Sequence, residues 1–274
     1  MAPKISVIMA VYNCEETVSE AIESILAQTF QDFEFIICDD CSTDKTYDIV
    51  ISYQHLYPDK LVVLQNEENS RLAYSLNHCL LYARGDYIAR MDGDDISVPK
   101  RLEKQLNFLE KNPEYDTVGT NMVLFDQAGE RAILITKENP SKYDLIKNPC
   151  FHHATILMKK SVYDDLGGYT VLPRTARGQD YDLWFRFFAK GYIGYNLPEV
   201  LYKVRVGMHD LKRRNFKTRL QAVQTTLVGY RLLNYPLKYY IYAFKPLLAG
   251  FVPRRIMFAY HNKKQSKLID YNRL

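Results

Sequence analysis

The chain has 274 residues, of which 47% are hydrophobic and 25% charged, and its formal net charge is +4. This composition predicts a globular protein with a sizeable core, built as one large domain or as one domain with an appendage. It excludes a membrane-spanning segment, because no uninterrupted apolar stretch is long enough, and no secretory signal precedes the first strand.

The small net charge conceals two oppositely charged regions. Residues 203–274 contain 16 lysines and arginines but only Asp210 and Asp270 as acids, a balance of +14, whereas the preceding residues carry −10. We therefore predict an α/β domain over residues 1–205 and a basic, aromatic-rich helical tail over residues 206–274. A basic tail indicates an anionic partner, either nucleic acid or a membrane surface.

The first half of the chain alternates between apolar runs and helical periodicity. Ile5–Val11 is a continuous apolar run, typical of a buried parallel strand. A helix is expected from Val18 to Leu26, and Ser42 or Thr43 is expected to cap the helix around Tyr47–Ile51. The remaining predicted elements of this half are strands at 33–38, 61–64 and 87–89 and a helix at 72–83.

The second half continues this alternation. Pro99 is expected to open a helix with Leu102, Leu106 and Leu109 on its apolar side. Strands are predicted at 118–125 and 155–158 and helices at 161–166 and 180–190, with residues 127–149 irregular. The alternation predicts a mostly parallel sheet with right-handed crossovers.

Acidic residues follow two of the predicted strands. Asp39 and Asp40 end one strand, and Asp92-Gly93-Asp94-Asp95 follows another. In an open α/β sheet, ligands bind at the carboxyl ends of the strands. Because clustered carboxylates repel one another, a divalent metal that holds a diphosphate explains two such clusters. The alternative is a pair of solvated acidic turns.

Six motifs follow one another in a specific order, although none is specific alone. They are ISVIMAVYN at 5–13, SILAQTF at 24–30, DDCSTD at 39–44, RMDGDD at 90–95, PKRL at 99–102 and GQDYDLW at 178–184. With these motifs the chain resembles the bacterial family 2 glycosyltransferases, the inverting GT-A group that builds capsule, O-antigen and other surface polysaccharides. The resemblance covers about the first two hundred residues.

The resemblance implies a nucleotide-sugar donor site. Asp40 would accept a hydrogen bond from the base, and Asp92 and Asp94 would form the D-x-D element, with Asp94 in direct contact with Mn²⁺ or Mg²⁺. The base pocket, in which uracil would stack on an aromatic ring, would be lined by Ala10, Val11 and Tyr12. Proline is usual at Ala10, glycine at Cys41 and a small residue at Arg71, so the chain departs from the family there.

The resemblance also implies an acceptor site. Asp180 matches the general base, and His153 matches a histidine near the donor phosphates or the acceptor. Gln179 stands where glutamate is usual, which puts an accessory carboxylate in doubt. From spacing alone, Asp180 fits a helix N-cap as well as a base. Displacement at an anomeric carbon needs a base and a neutralised leaving diphosphate, whereas hydrolytic glycosidases need two flanking carboxylates.

The expected activity is transfer of a hexose from a nucleotide sugar, with UDP favoured, to a hydroxyl of a lipid-linked oligosaccharide. A polyprenyl-phosphate sugar synthase and a non-catalytic nucleotide-binding module are the alternatives. For the tail we favour a peripheral position on an anionic membrane surface, the cytoplasmic face of the plasma membrane, over nucleic-acid binding, since no nucleic-acid fold motif is present. The competing interpretation is that the tail packs on the catalytic domain.

Overall fold

The computed structural model describes residues 2–206 and 216–247, which form one nine-stranded sheet flanked by helices. The strands are β1 Ile5–Val11, β2 Phe33–Asp39, β3 Leu61–Gln65, β4 Tyr87–Asp92, β5 Ile96–Ser97, β6 Thr117–Asp126, β7 Gly129–Leu134, β8 Leu157–Lys159 and β9 Gly194–Arg205. The α-helices are α1 Val18–Leu26, α2 Thr46–Leu56, α3 Leu72–Tyr82, α4 Arg101–Lys111, α5 Lys160–Leu166, α6 Gln179–Ala189 and α7 Phe216–Leu232. Short 3₁₀ helices lie at Asp144–Ile146, His153–Thr155, Pro173–Thr175 and Leu237–Phe244.

The sheet has a parallel half and a mixed half. Its strand order is β3-β2-β1-β4-β8-β6-β9-β5, with β7 paired to β6. The four strands from β3 to β4 are parallel to one another, and β6 is parallel to β9. The other pairs are antiparallel. The predicted α/β class is confirmed, and the parallel half places the carboxyl ends of β1, β2 and β4 at one edge.

Alternate residues of β1 enter two separate hydrophobic cores, one on each face of the sheet. Ile8 packs with residues from α3, α5, α6 and α7. Val7 and Met9 pack on the other face with residues from α1 and α4. This burial on both faces explains the uninterrupted apolar run in the sequence, because a strand covered on one face only would alternate with polar residues.

Four local predictions differ from the structure. Residues 127–149, predicted to be irregular, contain β7, which pairs with β6. The strand β9 was not predicted, since its sequence includes Pro198 and Glu199. The strand predicted at 155–158 is a 3₁₀ turn followed by β8. Neither Ser42 nor Thr43 caps α2; the carboxylate of Asp44 accepts the Thr46 amide instead, at 2.9 Å.

The described part of the basic tail packs on the α/β domain. The helix α7 lies against α6, where a Cβ added to Gly229 would stand 2.1 Å from the Phe185 ring. The buried Tyr230 donates a hydrogen bond to the Ile146 carbonyl at 2.7 Å. The basic residues 212–214 and 254–255 lie outside the described ranges. Within residues 2–206 and 216–247, every helix is too short or too polar to cross a bilayer.

Candidate active site

The carboxyl end of β1 lies between the two acidic segments. Val11 is in register with Asp39 on β2, and Ala10 is in register with Asp92 on β4. The amide of Asp40 donates to the Val11 carbonyl at 2.9 Å. The sheet order β2-β1-β4 therefore brings the two predicted carboxylate groups to the same edge, on either side of the last residues of β1.

Asp40 is buried and organises the loop that precedes α3. Its carboxylate accepts hydrogen bonds from the Asn66 side chain at 2.7 Å and from the amides of Ser70 and Arg71 at 2.9 and 2.8 Å. The neighbouring Asp39 is also buried, and its Oδ1 has no hydrogen-bond partner among the described residues. The sequence analysis placed Asp39 in the acidic pair but gave it no individual role. Its Oδ2 accepts the Ser42 amide at 3.0 Å, and the buried Oδ1 without a partner is an indication of a missing ligand.

Two of the family departures have a backbone explanation. Cys41 has a φ of 60°, a left-handed conformation that glycine adopts without steric cost. Arg71 has a φ of 72° and a ψ of 166°, a region that is almost exclusive to glycine. The hydrogen bond from its amide to Asp40 holds this strained residue at the start of α3. Its side chain is exposed beside the predicted donor site.

The residues predicted to contact the base differ in accessibility. Tyr12 is 47% exposed directly after β1, which leaves its ring available for stacking. The Val11 side chain is buried in the core, and Ala10 is partly buried. Of these residues, Tyr12 therefore presents its ring to a base, whereas Val11 presents only its backbone, because its side chain is buried.

Asp92 is held by two buried residues that the sequence analysis did not identify. The Arg90 guanidinium contacts the Asp92 carboxylate at 2.6 Å, and Tyr202 on β9 accepts a hydrogen bond from the Asp92 amide at 3.1 Å. Arg90 and Tyr202 are both buried. Residues two apart on a strand share a face, so the spacing of Arg90 and Asp92 was the signal that could have revealed the pair.

The acidic cluster creates a negative potential that a cation would relieve. Burial, together with the charges of Asp92 and Asp94, raises the pKa of Asp95 to about 8. The Asp95 carboxylate accepts the Arg205 amide at 2.9 Å, and Arg205 also donates to the Asp94 carbonyl at 3.0 Å. These bonds fix the acidic turn against β9.

The acidic turn fits a divalent metal that is shared with a substrate. Among the described residues, no three His, Cys, Asp or Glu side chains come close enough to hold an ion by themselves. Mg²⁺ and similar ions are commonly bound by one or two carboxylates together with substrate phosphates. In the structure Asp92 is paired with Arg90, and Asp94 is the carboxylate that the family resemblance assigns to direct metal contact.

Asp180 lies in the first turn of α6 and is not its cap, which is Gly178. Burial raises the pKa of the Asp180 carboxyl, and the charge of Asp92 adds to this rise. The rise is opposed by backbone N–H groups at the helix start and by the charge of Arg90. Asp180 also lines a cavity of about 300 Å³ between α6 and α7. Asp180 thus lies within electrostatic reach of the Arg90–Asp92 pair and lines this cavity.

The two other predicted acceptor-side residues both meet α6: Gln179 precedes Asp180 in that helix, and the His153 ring lies 5.5 Å from the Trp184 ring. Gln179 is the first residue of α6 and is partly buried. His153 contacts the Tyr169 hydroxyl through Nε2 at 2.8 Å, and burial with the Arg90 charge lowers the pKa of this imidazole to about 3. His153 is therefore neutral at physiological pH and can position groups by hydrogen bonding but carries no charge.

Known proteins with similar sequences are glycosyltransferases by description. EpsE of Bacillus subtilis (strain 168), provisionally described as a glycosyltransferase, is 49% identical over 262 residues, which covers 96% of this chain and 94% of EpsE. The Escherichia coli O-antigen biosynthesis glycosyltransferase WbnJ is 37% identical, over 74% of this chain and 79% of WbnJ. The E. coli UDP-Glc:alpha-D-GlcNAc-diphosphoundecaprenol beta-1,3-glucosyltransferase WfaP is 29% identical, over 74% and 78% of the two chains.

Solved structures share the fold at low identity. The S. aureus TarS structure with UDP-GlcNAc superposes with a TM-score of 0.68 at 20% identity, over 87% of this chain and 69% of that one. The mannosyltransferase PcManGT of Pyrobaculum calidifontis, with GDP-Man and Mn²⁺, gives a TM-score of 0.63 at 19% identity, over 98% and 86% of the two chains. These likenesses confirm the predicted GT-A fold.

The match to a described family agrees with the site geometry. Residues 6–167, from β1 to the end of α5, match Glycosyl transferase family 2. This segment includes both acidic clusters, and Asp180 follows it by one short connection. Among the relatives, WbnJ and AmsE of Erwinia amylovora are described as glycosyltransferases of O-antigen and amylovoran biosynthesis. The chain belongs to glycosyl transferase family 2.

Proposed function

We propose that the protein transfers a hexose from a UDP-sugar to a hydroxyl of a lipid-linked oligosaccharide during surface polysaccharide synthesis, with inversion at the anomeric carbon. The observation that carries this proposal is the position of Asp180. It lies within electrostatic reach of Arg90 and Asp92 and also lines the cavity between α6 and α7. A single displacement needs one base, and a carboxylate near both the donor edge and the cavity would serve as that base.

Asp180 would take the proton of the attacking hydroxyl. Its raised pKa supports this role, because a carboxylate in a buried site is a stronger base than one in water. Among the described residues, Asp92 is paired with Arg90, and Asp182 on the same helix as Asp180 is paired with Arg174 and Arg186. With these carboxylates paired, Asp180 would act as a single base, which suits inversion by one displacement rather than a two-step mechanism.

The donor would lie across the end of β1. Tyr12 would stack on the base and Asp40 would accept a hydrogen bond from it, while the diphosphate would lie toward Asp94. Asp94, assisted by Asp92, would hold a divalent cation there, and that cation would neutralise charge on the leaving diphosphate. The choice of UDP is supported by the UDP-Glc in the WfaP description and the UDP-GlcNAc bound to TarS.

A lipid-linked acceptor places the enzyme at a membrane surface. The diphosphoundecaprenol acceptor in the WfaP description supports this class of acceptor. In the 3₁₀ helix after α7, Leu237, Ile241 and Phe244 are 83%, 69% and 43% exposed. Exposed apolar side chains beside lysines are typical of segments that insert shallowly into an anionic leaflet. Sedimentation with anionic and neutral vesicles, at low and high salt, tests this docking; equal binding to both would exclude it.

The catalytic proposal is tested with two isosteric substitutions. Nucleotide sugars are screened for metal-dependent release of the nucleoside diphosphate, and the active donor is then used with Asp180→Asn and Asp94→Asn. Asp180→Asn should bind UDP normally but lose about 10²–10⁴-fold in turnover, because an amide cannot accept the proton.

Asp94→Asn should instead weaken metal-dependent UDP binding, while its melting temperature without ligand stays level or rises as repulsion is relieved. Near-normal turnover by Asp180→Asn at saturating acceptor would assign this residue to structure, and full turnover in excess chelator would exclude the metal. A product with retained configuration would exclude single displacement.

A further inference from the structure

The cavity beside Asp180 is built largely by the segment that follows β9. One wall is the start of α6 with Gly178 and Asp180, and the opposite wall is α7 with Thr225 and Thr226. The cavity is closed by Lys147, Tyr242 and other residues at the ends of the two nearby 3₁₀ helices. Its volume of about 300 Å³ is at the lower limit of small-molecule sites, which are about 300–1,000 Å³.

The charge of the lining is unbalanced. Lys147, Arg177 and Lys245 contribute three cations, and Asp180 is the single acid among the described residues that line the cavity. Lys147 Nζ lies 5.1 Å from the centre of the Tyr242 ring, and Lys245 Nζ donates to the Lys147 carbonyl at 3.2 Å. Neither lysine forms a salt bridge with a described carboxylate, whereas Lys137 and Lys160 of the same domain do.

We propose that this cavity is the acceptor site and that Lys147 and Lys245 bind the diphosphate of a lipid-linked acceptor. The proposal rests on the function proposed above. A neutral oligosaccharide needs hydrogen-bonding groups but no cations, whereas phosphate oxygens form their strongest hydrogen bonds with charged donors. Because the two lysines and Asp180 line the same cavity, they would orient such an acceptor with its diphosphate at the lysines and its sugar hydroxyl at the carboxylate.

This arrangement gives a balanced transfer step. The acceptor hydroxyl oxygen forms a bond to the anomeric carbon of the donor, and the bond between that carbon and the nucleoside diphosphate oxygen breaks. The bonding electrons leave with the nucleoside diphosphate, and the hydroxyl proton passes to Asp180. The acceptor diphosphate is not consumed, so Lys147 and Lys245 act as binding residues and their removal should affect affinity rather than the chemical step.

Direct binding tests this assignment without requiring turnover. Geranyl diphosphate is titrated into the full chain by calorimetry, with UDP and Mn²⁺ saturating so that the donor site is occupied. Lys147→Gln and Lys245→Gln should each weaken binding about tenfold, the loss expected for one charge-assisted hydrogen bond. Lys238→Gln is the matched control, because Lys238 also lies 5.1 Å from a tyrosine ring but outside the cavity.

The result distinguishes this inference from the proposed function. Equal dissociation constants for the cavity variants and Lys238→Gln, with unchanged melting temperatures, would overturn the acceptor site. So would binding of geranyl diphosphate no stronger than binding of the uncharged octyl glucoside. Either outcome leaves hexose transfer standing if a nucleoside diphosphate is released from a nucleotide sugar. Conversely, lysine-dependent binding without turnover from any nucleotide sugar would overturn the proposed function alone.

Discussion

Asp182 connects the stability of the fold to the position of Asp180. Its side chain is 6% exposed, and its two oxygens accept three hydrogen bonds: from Arg174 at 2.6 Å, from Thr170 at 2.6 Å and from Arg186 at 2.8 Å. Arg186 also donates to the Leu166 and Gly168 carbonyls. Asp182 thus joins α6 to the segments before it, in the same turn as the predicted base.

Asp182→Asn should destabilise the protein by about 3–5 kcal/mol at pH 7, because it leaves two largely buried guanidinium groups without their shared negative partner. In a protein of this size, each kcal/mol shifts the melting temperature by about 2–4 °C, so a decrease of about 6–20 °C is expected. Turnover should also fall, since Asp180 is positioned by the same turn of α6.

The pH dependence provides a second readout. Burial alone would raise the pKa of Asp182, but the hydrogen bonds from Thr170 and Arg174 and the Arg186 charge lower it overall. A depressed pKa in the folded state gives stability that is present above the unfolded pKa of about 3.9 and is lost as the pH falls through the folded value. The difference between wild type and Asp182→Asn should therefore shrink below about pH 4.

Urea denaturation at pH 7 and at acidic pH measures both effects. Asp164→Asn is the matched control, because Asp164 forms an exposed i,i+4 pair with Lys160 on α5. Its loss should be about 0.3–0.5 kcal/mol. The reasoning would be refuted if Asp182→Asn were no more destabilising than this control, or if its deficit were the same at both pH values.

Three further substitutions test separate parts of the structure. Tyr202→Phe should cost about 1–3 kcal/mol in urea denaturation, since it leaves the Asp92 amide without an acceptor; an unchanged midpoint contradicts this. Arg71→Gly should raise the free energy of unfolding by about 1 kcal/mol, after the entropic cost of glycine, because glycine adopts this backbone conformation without strain. Arg71→Ala should give no such gain, and equal effects of the two substitutions would show that the change comes from loss of the side chain. Gly229→Ala should cost about 1–3 kcal/mol because its Cβ would overlap the Phe185 ring, and the exposed Val228→Ala, expected within about 0.5 kcal/mol, is the control.

The parallel half of the sheet was predictable from local pattern. Runs such as Ile5–Val11 are buried on both faces, so a continuous apolar sequence marks them, and each acidic pair comes where its strand ends. The strand β9 gave no such signal. It carries Pro198 and Glu199, and it is specified by pairing with β5 and β6, which are distant in sequence.

The residues missing from the predicted site share one property. Arg90, Arg101 and Tyr202 are buried polar side chains whose partners become visible only when strands meet. Arg101 donates to the Arg90 carbonyl at 2.9 Å, and its guanidinium lies 5.1 Å from the Tyr202 ring centre. Burial, together with the charge of Arg90, lowers the pKa of Arg101 to about 10. Sequence motifs identify groups that contact a substrate, whereas these residues contact one another.

The C-terminal segment contributes to the site through packing, which its composition did not reveal. The net charge of +14 predicted an anionic partner, yet α7 is held by uncharged contacts. They are the packing of Phe185 against Gly229 and the hydrogen bonds from Tyr230 to the Ile146 carbonyl and from Thr225 to the Arg174 carbonyl. The last of these bonds, at 2.7 Å, joins α7 to the residue that pairs with Asp182. The same segment therefore closes the cavity on one side and supports the helix that carries Asp180 on the other. Membrane attachment through exposed residues and packing through buried ones are compatible, because they use different side chains of the same 32 described residues, 216–247.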